Sequence, residues 1–383
     1  MRIAMVGQKI IPFTGEGGGI ERHVEELSVR LVKQGHEVLV YSRSRLNAQK
    51  PRSYQGVRIV YLPSIPTKNF DTITHVFLAT LHALFQKVDV IHYHGVGPST
   101  LAWIPRVFKP RAKVVVTFHS IDRFHKKWGW LARWYLGWGE WTACHFPHVT
   151  IAVSRAIADY CQHRFKRNTV YIPNGVNFNR EAATHDYKIR RFDLRRGEYI
   201  LTVARLVKHK GIHYLIEAYK KLIRVYGTDG ANWPGGVIRK LVITGAPSYS
   251  DDYVQYLRKI AEGTPHVVFT GMQTGETLAQ LFADAYLYVH PSEAEGLSTT
   301  ILEAMSYGTC VLVSDIPENL ESIDHAGFVF KSQSADDLFE MLEYLLDFPE
   351  GVKRHAARAV HFIKQNFDWD DIAKQVERVY TNK

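Results

Sequence analysis

Ala285-Tyr286-Leu287-Tyr288-Val289-His290-Pro291-Ser292-Glu293-Ala294-Glu295-Gly296-Leu297-Ser298-Thr299-Thr300-Ile301-Leu302-Glu303 decides the fold of this chain. Ala285–Val289 reads as a buried strand, His290-Pro291-Ser292 as a turn, and the stretch from about Leu297 to Tyr307 as a helix. Glu295 therefore lies where a strand hands over to a helix, and Glu303 about two turns into that helix. In α/β sheets such loops are where ligands bind. A helix opening at Leu297-Ser298 offers unpaired backbone N–H groups to a phosphate. Two carboxylates flanking an anion site suit a ligand that joins hydroxyls to phosphate, as a nucleotide sugar does.

Outward from this junction, strand-like and helix-like runs alternate along the chain. The first half offers strands at Ile3–Val6, Val38–Ser42, Val57–Leu62, Val88–His92, Lys113–Phe118, Thr150–Val153 and Thr169–Ile172. The second offers Tyr199–Ala204, Leu241–Gly245, Val267–Thr270, Ala285–Val289, Cys310–Ser314 and Phe328–Phe330. The clearest helix runs from Ile20 to about Gln34, with Ile20, Val24, Leu27 and Leu31 on one face and Gly35 as its stop. Continuous apolar strands between helices mean parallel sheets covered on both faces. Two successive sets mean an α/β chain of two doubly wound, Rossmann-like domains. The expected division is 1–178, then 179–366, with a last helix in 367–383 packing back towards the first domain.

A chain of 383 residues suits two such cores. Its hydrophobic content of 46% and charged content of 22% are those of a globule. No stretch is apolar for long enough to span a membrane, and the N-terminus lacks the length of a signal peptide. Cys144, Cys161 and Cys310 form neither a metal-ligand spacing nor a disulfide set, which points to a reducing, cytoplasmic setting. The net charge of +10 is uneven: residues 1–185 carry +14 and the remainder −4. A basic first half points to an anionic partner, a membrane surface or nucleic acid, or to a merely solvated basic face.

Several motifs stand at strand ends. Gly15-Glu16-Gly17-Gly18-Gly19 precedes the first strong helix and lacks G-x-G-x-x-G spacing, so the dinucleotide fingerprint is absent. It reads as a loop that approaches a ligand closely or as a surface turn. Arg205 and Lys210, after the strand ending at Ala204, can converge on phosphates. His119, after Lys113–Phe118, is a site candidate or a capping histidine. Five of the eight tryptophans fall in Trp128–Trp141. Trp130, Trp134, Trp138 and Trp141 share a helical stripe near Lys126, Lys127 and Arg133. Such a stripe reads first as core and otherwise as an interfacial face. No nucleophile elbow, P-loop or metal-ligand motif appears.

Taken together, these motifs resemble the family-four glycosyltransferases of the GT-B fold. The matching residues, in order, are Gly17-Gly18-Gly19 with Glu21-Arg22-His23-Val24, Thr117-Phe118-His119, Ile172-Pro173-Asn174-Gly175-Val176, Arg205 with Lys210-Gly211, His290-Pro291-Ser292, and the Glu295/Glu303 pair running into Ala304-Met305-Ser306-Tyr307-Gly308. The flavour is that of bacterial surface-polysaccharide enzymes. The resemblance implies two domains facing across a cleft and a retaining, metal-independent sugar transfer with no cofactor. Arg205 and Lys210 would hold the diphosphate, Glu303 the ribose and Glu295 the sugar. Gly296, Leu297, Ser298 and Thr299 would line the donor loop, while Gly18, Gly19 and His119 would face the donor from the first domain. The partners implied are a nucleotide sugar and a saccharide or lipid-linked acceptor, with no nucleic acid; the basic first domain and the tryptophan stripe point besides to an anionic membrane surface as a further candidate partner. The family often has Phe-Gly where Leu297-Ser298 stands here, which leaves the sugar open. A nucleotide-sugar epimerase and a non-catalytic partner subunit are the alternatives.

Overall fold

A computed structural model describes all residues except 13–17, 68–69, 122, 124–128, 179–186, 230–231, 249 and 383. Gly15, Glu16 and Gly17 of the glycine loop, with Lys126, Lys127 and Trp128, lie outside the described residues. The chain divides into two units, Met1–Gly175 with Trp369–Lys383, and Val176–Asp368.

Unit 1 holds β1 (Arg2–Val6), β2 (Glu37–Arg43), β3 (Ser53–Tyr54), β4 (Val57–Leu62), β5 (Val90–His94), β6 (Lys113–Phe118), β7 (Val149–Ala152) and β8 (Val170–Tyr171). Their order is β3-β4-β2-β1-β5-β6-β7-β8, parallel throughout except for the β3–β4 pair. Unit 2 holds β9 (Tyr199–Val203), β10 (Lys240–Thr244), β11 (Val267–Gly271), β12 (Leu287–His290), β13 (Val311–Ser314) and β14 (Phe328–Phe330). Here the order is β11-β10-β9-β12-β13-β14, all parallel. Central strands such as β1, β5 and β9 are buried along almost their whole length, which is why they read as continuous apolar runs.

Both orders contain a reversal. In unit 1 the chain leaves β1 for β2 on one side and leaves β5 for β6 on the other. In unit 2 the same divergence separates β9 from β12. A crevice outside the carboxyl ends of the two central strands is the consequence.

The first helix spans Gly19–Lys33 rather than starting at Ile20. Gly18 is its extended N-cap, and the Glu21 carboxylate reaches back to accept from the Gly18 N–H at 2.6 Å and the Lys9 N–H at 3.1 Å. Gly35 ends it at φ +89°, where the His36 N–H bonds the Leu31 carbonyl at 3.0 Å.

The C-terminal helix, Trp369–Thr381, belongs to unit 1. Its residues Trp369, Ile372, Ala373, Val376, Val379 and Tyr380 join the core formed by β1, β2, β5 and the first helix. Gly175 makes room for it: a Cβ there would lie 2.5 Å from the Trp369 ring. Arg30 anchors the helix start through Asp370 at 2.7 Å. Trp369→Ala should therefore destabilise unit 1 by about 3–5 kcal/mol, the usual cost of emptying a buried aromatic site, read as a lower urea midpoint.

Candidate active site

The crevice of unit 2 is where the sequence placed its basic and acidic residues. Arg205 follows β9 and is exposed, and its guanidinium makes no hydrogen bond among the described residues. The chain then makes a short turn, Lys208–Lys210, closed by Gly211 at φ +67°. A Cβ on Gly211 would fall 1.8 Å from the Pro291 carbonyl oxygen. Only glycine lets the loop after β9 lie on the loop after β12.

That approach brings Lys210 onto Glu295, 85 residues away. Lys210 Nζ donates to Glu295 Oε1 in a short bond. The same oxygen lies 2.7 Å from His290 Nε2 and accepts from Ser292 Oγ at 2.6 Å. Ser292 Oγ is also 2.9 Å from His290 Nε2. On the far side of the imidazole, His290 Nδ1 is 2.9 Å from the Tyr288 hydroxyl, which sits 2.8 Å from Thr300 Oγ1. Glu295 Oε1 is thus saturated by protein, while Oε2 meets no donor among the described residues and can accept from a hydroxyl-bearing ligand.

Burial would push the Glu295 carboxyl up, but Lys210 and His290 outweigh it and hold it well below the usual range. Burial lowers the pKa of His290, against the pull of Glu295. The site therefore holds a fixed carboxylate and a neutral imidazole at pH 7. Gly296, Leu297 and Ser298 are buried behind it and lead into the helix Thr299–Ser306. Ser298 is its N-cap without capping by its side chain, so the first-turn N–H groups are not consumed that way. Glu303 lies buried in the second turn.

The unit 1 crevice holds imidazoles. His23 comes from the helix after β1, His94 ends β5, and His119 follows β6. One ligand-type atom of each lies within 4.8 Å of the others. His94 Nδ1 is 3.3 Å from His119 Nε2, and the His23 and His119 rings meet edge-on at 4.8 Å. His23 Nδ1 is 2.9 Å from Asn174 Oδ1, which fixes the proton on Nδ1 and leaves Nε2 a buried acceptor with no partner among the described residues. Beneath them, His92 bridges Thr117 Oγ1 and the Tyr380 hydroxyl, each at 2.7 Å. This is a cluster of imidazoles in ring contact, with one hydrogen bond between His94 and His119, and the sequence, in which these residues lie far apart, gave no metal-like spacing to announce it. Gly18 and Gly19 open the helix that carries His23.

The sequence quoted His23, Asn174, His290 and Ser292 only as motif residues and assigned them no role. His94 went unmentioned as a site residue because the strand was expected to end at His92. Each of His94, His119 and His290 ends or follows a strand at its carboxyl edge, and that shared position was the available signal.

The chain matches the family described as Glycosyltransferase Family 4 over residues 17–180 and the family described as Glycosyl transferases group 1 over residues 188–362. It belongs to the family-four glycosyltransferases. An uncharacterised glycosyltransferase of Methanocaldococcus jannaschii is 26% identical over 99% of this chain and 98% of that protein. Glycogen synthase of Mycobacterium tuberculosis is also 26% identical, over 99% of this chain and 94% of its own length. Among solved structures, Anabaena HepE in complex with UDP-glucose superposes with a TM-score of 0.76 at 19% identity, covering 99% of both chains. This glycosyltransferase therefore has the GT-B architecture of two Rossmann-like domains.

Two outcomes test the electrostatics of this glycosyltransferase. Lys210→Ala strands a buried carboxylate, so it should cost about 3–5 kcal/mol of stability. Adding Glu295→Gln removes the stranded charge and should recover most of that loss in urea unfolding. The imidazoles set a pH dependence. Burial lowers His23 to about 4, partly offset by its Asn174 bond, and holds His92, His94 and His119 well below 6.5. The unfolded chain takes up these protons first, so their stabilisation is complete above about pH 6.5 and falls as pH drops from there towards 4. His23 contributes a slope of up to about 1.4 kcal/mol per pH unit in that window, and the other three add in the same direction. Urea midpoints that stay flat between about pH 6.5 and 4.5 would contradict this.

Proposed function

We propose that this glycosyltransferase moves a hexose from a nucleotide sugar to a saccharide or lipid-linked acceptor, with retention of anomeric configuration and without a metal. The observation that carries the reading is the Lys210–Glu295 pair at the β9/β12 crevice, beside the N-terminus of the helix Thr299–Ser306. In this reading the donor diphosphate draws Lys210 and the free Arg205 guanidinium to itself. The helix N-terminus and the loop Gly296-Leu297-Ser298-Thr299 add backbone donors. Glu295 Oε2 accepts from the sugar's hydroxyls and Glu303 from the ribose. Gly18 and Gly19 let backbone approach the donor, and the neutral His119 imidazole hydrogen-bonds the reacting sugar.

As the glycosidic bond breaks, negative charge grows on the leaving diphosphate. Two cationic side chains and a helix terminus, already in place, stabilise it. That task falls to a divalent cation in other transferases, and here the residues supply the charge themselves. Retention follows if the acceptor attacks from the face the diphosphate leaves, with a phosphate oxygen taking the acceptor's proton. Family membership favours transfer over epimerisation or a silent partner role. Support for a nucleotide-sugar donor comes from the shared architecture with the UDP-glucose complex of HepE. Surface-polysaccharide or glycoconjugate synthesis on the cytoplasmic side of a membrane fits the free, buried thiols of Cys144, Cys161 and Cys310 and the +14 carried by residues 1–175.

The test begins with melting temperatures against UDP-, GDP-, ADP-, CMP- and dTDP-linked sugars, since a ligand that binds only the native state raises it. The selective donor is then offered to candidate acceptors with EDTA present, and the product anomer is read by NMR. An inverted linkage or turnover that vanishes with EDTA overturns the mechanism. With that donor, Arg205→Ala should lower turnover by about 10²–10³, the usual loss on removing one such donor group.

A further inference from the structure

The helix Trp130–His145 overturns the expectation that its tryptophan stripe is core. Its buried face carries Leu136, Gly139, Glu140, Thr142, Ala143 and Cys144. Gly139 is the reason: a Cβ there would stand 2.3 Å from the Val96 carbonyl oxygen, so the helix presses its small residues onto the short helix Val96–Ser99. The large rings are left outside. Trp130 is 78% exposed, Trp134 71%, Leu131 61%, and Trp138 and Trp141 about 40% each. Scattered apolar residues on a surface need no explanation, but a continuous row of four tryptophans does.

Charge says what covers the row. The helix's one carboxylate, Glu140, is turned inward, where it accepts from the Tyr160 hydroxyl at 2.8 Å and faces Arg123 at 3.6 Å. Arg133 is exposed among the rings. The far end of the row continues through Trp141 stacked on His145, and His145 meets Phe165. Phe165 ends the adjacent helix Arg155–Phe165, and its neighbours Arg164 and Lys166 are exposed. The face is therefore indole and leucine bordered by cations, with Asp159 as the one exposed carboxylate on the adjoining helix.

We infer that this face docks on an anionic lipid bilayer, with Trp130, Leu131 and Trp134 seated at headgroup level and Arg133, Arg164 and Lys166 meeting lipid phosphates. Amphipathic rings and long basic side chains are the pairing that partitions to that depth. Topology gives the docking a use. The helix crosses back between the parallel strands β6 and β7, so its Trp130 end lies at the carboxyl edge of the sheet, the edge that carries His94 and His119. A lipid-linked acceptor held in that bilayer would be presented to this edge. Only that last step rests on the proposed transfer.

The experiment uses the full chain, without donor or acceptor, and vesicles of phosphatidylcholine alone or mixed with phosphatidylglycerol. The wild type should cosediment with the mixed vesicles, lose binding as salt rises, and have its tryptophan fluorescence quenched by brominated lipid. The double variant Trp130→Ser/Trp134→Ser removes only exposed side chains and should bind the mixed vesicles at least about tenfold more weakly. Arg164→Glu/Lys166→Glu should weaken binding while leaving quenching of the residual bound protein intact. Three results would overturn the inference: no binding by the wild type, equal binding by the tryptophan variant, or a wild-type dimer that the tryptophan variant converts to monomer. Donor-induced melting shifts, measured on the same proteins, report on the transferase reading separately.

Discussion

The contact of Gly211 with the Pro291 carbonyl oxygen is the constraint on which unit 2 turns. Two loops that leave neighbouring strands in opposite directions would normally keep side-chain distance between them. A glycine in the left-handed region removes that spacing, and Lys210 reaches Glu295. From the pair the order spreads outward: His290 and Ser292 fasten the carboxylate, and Tyr288 and Thr300 fasten His290. A buried ion pair adds little net stability, because desolvation offsets the attraction. What it supplies is position. One carboxylate oxygen is fixed by three donors and the other meets none among the described residues.

Unit 1 solves the complementary problem with groups that carry no charge. Its crevice is lined by imidazoles that burial keeps neutral; Asn174 sets the tautomer of His23, and the hydroxyls of Thr117 and Tyr380 hold the His92 ring at both nitrogens. Tyr380 and Trp369 come from the last helix, so the end of the chain supports residues near its beginning. A neutral imidazole can donate or accept a hydrogen bond without bringing positive charge to the crevice. The cations Arg205 and Lys210 stand instead at the crevice of unit 2.

Much of this architecture was legible in the sequence. Every strand except β3 was read, because parallel strands covered on both faces are continuous apolar runs that need no partner to be seen. The two-residue β3 escaped because Ser53-Tyr54 is too short to show a period and pairs only as an edge hairpin with β4. Arg205, Lys210, Glu295 and Glu303 were recognisable because strand-to-helix junctions are local features. The tryptophan row was seen, but the choice between core and an exposed interfacial face was not decided. Periodicity tells which side chains share a face, while what lies opposite that face is decided by the Gly139–Val96 contact.

The sequence by itself determined the α/β class, the two cores, the strand-to-helix junctions that carry Arg205, Lys210 and Glu295, and the family. These depend on short-range pattern, and short-range pattern is written in neighbouring residues. Strand order was decided only in the tertiary structure. It set β9 beside β12 and β1 beside β5, and so joined Lys210 to Glu295 and gathered His23, His94 and His119. Those encounters depend on loops closing over long separations, the first of them on the absence of a Cβ at Gly211, just as Gly175 and Gly139 admit Trp369 and the Val96 turn. No local window of sequence contains both partners of such a contact.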